Sequence, residues 1–360
     1  MASSHSGDIF LVGSIPFEDT ETVFKTSCEL FGNRLFALPD GELGARSHWI
    51  MGLPHLAYVN HPDLEPIHVV SQDRVISPDS HAPDQMRATR ATFRVKPGVT
   101  ETRFDLPYGN EAVASYEIFR RLKQRGAIPQ HMHFQVCFPT TQAATTGFFP
   151  EKRDQPIVWA AYNRGLRNGI DRILAHVPAK ELVIQLDYCT EVMDILGARD
   201  HYLGKQELTP DERFKLYTST GYLSPMSEMI PADVTVGYHL CYGTWGGWPV
   251  GEVMDIGFCV KLANALVKNT TRRIDYVHLP AMPGADEAFF KPLSELDIGD
   301  TKVFLGIELA DGPEAMSRRA EAARKYLPQF GVSHYCGYGR DEKQRVLNLM
   351  HDLLKGAPDE

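Results

Sequence analysis

The feature that most constrains this chain is an alternation. Short apolar runs rich in β-branched residues are followed, eight times over, by stretches of helical period. The strand-like runs are DIFLVGS (8–14), RLFALPD (34–40), MHFQVCF (132–138), LVIQLDY (182–188), DVTVGYHLCYG (233–243), IDYVHLP (274–280), KVFLGIEL (302–309) and VSHYCGYG (332–339). Between them lie patterns such as PIVWAAYNRGLRNGIDRILAHV and GPEAMSRRAEAARKYLPQF, with apolar residues recurring at helical spacing. The last, DEKQRVLNLMHDLLKGA, ends in Lys-Gly, a helix stop. Strands that alternate with helices in this way pair in parallel, because each helix serves as the crossover to the next strand. Eight such units predict an α/β fold, a (β/α)8 TIM barrel. A chain of 360 residues accommodates it as one domain. A doubly wound open sheet is the alternative, but no GxGxxG follows the first strand.

Two stretches interrupt the alternation. One, about 59–110, is polar and Pro-rich and contains two hairpin-like strands, EPIHVV and ATFRVK; the other covers about 197–231. In a barrel, insertions of this kind extend the βα loops over the active face as lids or substrate walls. The formal net charge of -9 argues against general affinity for nucleic acid or an anionic membrane. No apolar segment is long enough to span a bilayer, and the start, MASSHSGDIF, lacks a basic region followed by an apolar core. A cytoplasmic protein acting on a small molecule is the expectation. In that setting the six cysteines do not read as a disulfide framework. Cys28 and Cys259 fall in helical patterns, whereas Cys137, Cys189, Cys241 and Cys336 fall within or just after strands.

A TIM barrel collects the C-terminal ends of its strands on its active face. In order, those ends carry Ser14; Asp40 with Glu42; Cys137; Asp187 with Cys189; His239 with Cys241; His278; Glu308; and Cys336. His239 and Cys241 stand at i and i+2 on one strand, so both side chains face the same way. Cys336, near the end of the eighth strand, can close toward them across the mouth. Two thiolates, an imidazole and one further N or O donor form a tetrahedral zinc set, with His278 and Glu308 as candidates for the fourth place. Any one of these residues alone would read as buried and structural; their coincidence at strand ends is what points to a metal.

These residues also carry a resemblance. The chain resembles the catalytic barrel of cobalamin-independent methionine synthase and its relatives, within the wider group shared with uroporphyrinogen decarboxylase. VGSIP is similar to the family's first-strand IGSFP, DGE to its HGE, IQLDYCTEV to its IQIDEPALRE, HLCYG to its HMCYS and YCGYGR to its CGLKTR. The resemblance implies zinc bound by His239, Cys241 and Cys336. The family's fourth ligand, a Glu ending the sixth strand, is His278 here, and its proton-donating His ending the seventh strand falls near Glu308, so the two residue types are exchanged. The resemblance therefore implies His278 as ligand and Glu308 as acid/base or alternate ligand. It implies Ser14, Glu42 and Asp187 for an amino-acid substrate: backbone and hydroxyl for its carboxylate, two acids for its ammonium. The family's extra N-terminal barrel has no counterpart in this sequence, which puts folate as methyl donor in question.

Zinc in a cysteine-rich site suits thiol activation, in which a substrate thiol becomes a nucleophilic thiolate at neutral pH. The expected function is a zinc-dependent transferase that alkylates or methylates a thiol, with Glu308 or His278 protonating the leaving group and Asp187 beside them. Tyr188, Tyr242, Trp245, Trp248 and Tyr338 are candidates to wall in the partner, and Arg46 and Arg340 to meet an anionic group. A zinc lyase or hydrolase on the same barrel, and a metal-free decarboxylase, are the alternatives.

Overall fold

The computed structural model describes residues 8–68, 91–197, 208–243, 248–249 and 253–358. Its strands are β1 (Ile9–Phe10), β2 (Leu38–Pro39), β3 (Leu64–His68), β4 (Thr92–Val95), β5 (Phe134–Pro139), β6 (Leu182–Tyr188), β7 (Thr235–Leu240), β8 (Tyr276–Pro280), β9 (Lys302–Glu308) and β10 (Gly331–His334). Eight of them form one sheet in the order β1-β10-β9-β8-β7-β6-β5-β2, and every pairing in it is parallel. Each of the eight predicted runs overlaps one of these strands. The result is a curled, eight-stranded parallel sheet flanked by helices, an architecture of the TIM-barrel kind.

The two ends of the sheet also touch. Isolated parallel bridges join Ile9 to Leu35 and Ser14 to Gly41, with Phe36 N–H donating to the Ile9 carbonyl at 2.9 Å and Ile15 N–H to that of Gly41 at 3.0 Å. β3 and β4 pair antiparallel in a separate two-stranded sheet within the first insertion. Most of the buried apolar side chains lie in one cluster that includes the helices' inward faces. A second, small cluster holds Phe10, Val12, Ala37, Val183, Tyr276 and Phe304, with Phe36 against it.

That small cluster fills the interior of the sheet's curl, and aromatic rings dominate it. Phe10 stacks on Phe304 at 4.9 Å, and Phe36 meets Tyr276 at 5.3 Å and Phe304 at 4.9 Å. Such rings fit because glycines stand opposite them. A Cβ on Gly237 would lie 2.4 Å from the Tyr276 ring, and one on Gly331 would lie 2.4 Å from that of Phe304.

Above the aromatic floor, neighbouring strands place inward residues side by side. Gln185, Gly237 and Tyr276 share one row; Asp187, His239 and His278 share the next. The row after that is broken by a bulge. Gly306 pairs with Ser333, but Glu308 pairs with His334, leaving Ile307 without a partner. One extra residue in a strand reverses which face every later side chain takes.

Candidate metal centre

The side chains of His239, Cys241 and Cys336 converge, with one ligand atom from each lying within 4.8 Å of the other two. His239 and Cys241 are buried, 3% exposed each, at the end of β7. Cys336 follows β10 and reaches across, so that its Sγ stands 3.7 Å from Sγ of Cys241. A tetrahedral ion about 2.3 Å from each of two sulfurs would set them roughly 3.8 Å apart. The separation of the two thiols therefore fits zinc, and the donor set of two sulfurs and an imidazole suits its softness.

Without a cation the two thiols hold their protons. Cys241 is pushed well above the ordinary thiol range, first by its neighbour Cys189 and further by burial. Cys336 is pushed up in the same way, by Cys241 and then by burial. Bound dications reverse this tendency and deprotonate coordinating thiols outright.

His278 sits beside the trio, with its ring turned to His239. The two Nδ1 atoms are 2.7 Å apart, so one ring donates a proton there and the other accepts it. The opposite edge of His278 faces Gly306 closely: a Cβ there would lie 2.8 Å from its Nε2 and 3.0 Å from its Cε1. The ring is fully buried and its Nε2 lacks a side-chain or backbone partner of good geometry. Burial, and then the neighbouring His239, hold its pKa well below the usual imidazole value, so the ring is neutral.

Glu308 stands apart from the trio. The bulge turns it, with His334, toward the helical layer, where charges on Asp311, Arg319 and Asp352 act on it. Its carboxylate accepts from the Ala310 N–H at 2.7 Å and faces His334 Nε2 at 3.5 Å. Burial pushes Glu308 up to about 7 and His334 down to about 4, so near neutral pH the imidazole is uncharged and the contact is not an ion pair. His334, which the strand pattern did not single out, also bonds the Cys336 carbonyl through Nδ1 at 2.7 Å.

The expected amino-acid-binding residues do gather. Ser14 Oγ donates to Glu42 Oε2. Glu42 sits in the DGE turn, where Gly41 has φ +85 and Glu42 itself φ +53, a conformation costly for any residue with a Cβ. The Asp40 carboxylate holds the turn by accepting from the Glu42 N–H at 3.0 Å. Asp187, in the row with His239, is oriented by Gln185, whose Nε2 donates to its Oδ1 at 2.6 Å. Burial pushes Glu42 up to about 7, against the Ser14 hydroxyl and the Arg46 charge that pull it down. Asp187 is raised well above the carboxylate range by burial, and then by the nearby Glu42. Two desolvated acids that repel one another make a receptor for a cation such as an ammonium group.

The other expectations fare differently. Arg46 pairs with Asp40, with contacts of 2.7 and 3.3 Å, and lines a small cavity with Glu42 and Cys137. Tyr188 points outward, its hydroxyl donating to the Tyr217 carbonyl at 2.7 Å, and Tyr242 likewise packs in the outer core. Trp248 stacks on Tyr335 at 3.9 Å. Trp245 lies outside the described residues.

No family model matches the sequence, and no curated protein matches it significantly. Solved structures share its fold. A B12-independent methionine synthase from Shewanella sp. W3-18-1, in complex with selenomethionine, superposes with a TM-score of 0.59 at 14% identity, covering 98% of this chain and 97% of that one. A Listeria monocytogenes protein provisionally named a vitamin-B12-independent methionine synthase gives 0.56 at 14% identity, covering 99% and 98%.

Proposed function

We propose that this chain is a zinc-dependent transferase that alkylates the thiol of a small amino-acid-like substrate. It would act as a single barrel whose insertions flank the mouth, with the sheet closed through the Ile9–Leu35 and Ser14–Gly41 bridges. The observation that carries the reading is the convergence of His239, Cys241 and Cys336 at zinc-compatible separations. Full-length superposition on methionine-synthase structures supports it at the level of fold.

When bound, zinc would supply the Lewis acidity that keeps a substrate thiol deprotonated at neutral pH. The chain's own residues supply the rest. Ser14 and the backbone around it offer donors to a carboxylate, and Glu42 and Asp187 offer charge to an ammonium. That grip would fix the thiol end of the substrate toward the trio, since Asp187 and His239 are register partners on adjacent strands. Orientation of this kind accounts for a large share of catalysis in two-substrate reactions. Asp187, whose pKa is raised by burial, would pair with the ammonium when ionised and serve as the acid when it holds its proton. The buried Glu308 is turned to the helical layer, and the acid/base role therefore moves to Asp187.

Metal analysis of the purified protein tests the reading. About one zinc per chain is expected in the wild type, with strong loss in His239→Ala and Cys336→Ala. Cobalt substitution separates transferase from lyase or hydrolase: adding an amino-thiol such as homocysteine should change the ligand-field spectrum. Full zinc occupancy in both variants, or a spectrum indifferent to every thiol, would overturn the proposal.

A further inference from the structure

The zinc reading leaves the fourth donor open, and the expectation that His278 fills it conflicts with the ring's geometry. An imidazole has two nitrogens. Nδ1 of His278 is engaged with His239, and its far edge is pressed against the Gly306 backbone. A flip of the ring does not help, because Cε1 and Nε2 both lie on the edge facing Gly306. His278 therefore has no lone pair to offer an ion held by His239. What it does offer is an acceptor for the His239 Nδ1–H, which fixes that ring in the tautomer whose Nε2 is free for metal.

A different side chain is placed to coordinate. The β6–β7 register pairs Asp187 with His239 and Tyr188 with Leu240. The register ends there: Cys189, at φ -106 and ψ -53, caps the helix Thr190–Ile195, and the Cys241 N–H donates to the Tyr188 carbonyl at 3.4 Å, which holds the two segments side by side. The thiols of Cys189 and Cys241 stand within hydrogen-bonding reach of one another. Cys189 and Cys241 do pack together, with Met193 and under the rim formed by Trp49 and Cys336. Cys189 is 7% exposed, and no disulfide occupies its sulfur. Its Sγ is outside the group of atoms mutually within 4.8 Å, so coordination would require it to turn about χ1 toward Cys241 and Cys336.

We propose that Cys189 is the fourth metal ligand, giving a site of three cysteines and His239, with His278 as the residue that positions the His239 ring. The assignment rests on the zinc reading above. A third thiolate brings another negative charge and favours soft dications over magnesium or calcium.

X-ray absorption at the zinc edge counts the sulfurs directly and does not depend on activity. Three sulfur neighbours are expected in the wild type and two in Cys189→Ser, with Cys336→Ser as a second loss of one. His278→Ala should keep three sulfurs while releasing zinc to a chelator about 10- to 100-fold more readily, the usual effect of losing a ligand's hydrogen-bond partner. Circular dichroism of the zinc-free variants verifies that each folds. A wild type holding zinc with only two sulfurs, unchanged in Cys189→Ser, overturns this assignment and leaves the zinc reading standing. A folded wild type that takes up no zinc overturns both.

Discussion

At the scale of single residues, the chemistry is written in groups held away from their ordinary ionisation. Glu42 is the clearest, with a pKa near 7 in the fold. A carboxyl whose pKa is raised by folding binds its proton more tightly folded than unfolded. Its contribution to stability is therefore fully present below the unfolded value near 4.5 and lost as pH rises through about 7. Glu42→Gln should remove that dependence. In the zinc-free protein, the fall in melting temperature between pH 5 and pH 8 should become shallower, and the variant should be the more stable of the two at pH 8, by an amount on the order of 2 kcal/mol. An equal slope in both proteins would mean that Glu42 stays ionised in the fold. The trio itself was legible in the sequence because a spacing of two on a strand fixes a shared face. The roles proposed for His278 and Cys189 were not, since residue type says nothing about which edge of a ring meets a neighbour or which thiols pack together.

Elements explain the other misreading. Glu308 ends β9 as the pattern places it, yet the bulge opposite His334 turns it to the helices. No composition or periodicity marks that slip, because KVFLGIEL reads as an unbroken buried strand. Gly306, just before it, is needed for a separate reason: it provides the space that the His278 ring occupies. Gly306→Ala should push the ring from His239 or shift the Tyr335 backbone, whose Cα would lie 2.9 Å from the new methyl. The expected cost is about 1–3 kcal/mol in chemical denaturation, together with weaker zinc retention in a chelator titration. A fully stable variant with unchanged zinc affinity would show that the imidazole pair does not depend on this close approach.

For the molecule as a whole, the eightfold alternation specified the sheet and its strand locations well, because crossover helices leave a parallel sheet few other arrangements. What it could not specify was the filling of the interior, where Phe10, Phe36, Tyr276 and Phe304 replace the branched aliphatic layers common in such sheets. With a rigid floor below and three to four donors above, zinc should act as a staple for the native state. Stripping it with a chelator should lower the melting temperature, with a loss of about 2.7 kcal/mol of stability relative to protein in zinc at 100 times its dissociation constant. Identical melting with and without the metal would place the ion outside the folded site.

The seam between β1 and β2 is the one joint of the sheet made by isolated bridges, and the bridge nearer the mouth belongs to Ser14 and Gly41. Ser14 is also the residue that bonds Glu42 across that joint. A substrate grasped by both side chains would thus act as a clasp, and recognising the ligand and shutting the ring of strands would become one event. Backbone exchange should register it: the Ile15 amide, which crosses the seam to the Gly41 carbonyl, is expected to swap its hydrogen for deuterium sooner than the amides of β6, and to slow when an amino acid occupies the mouth.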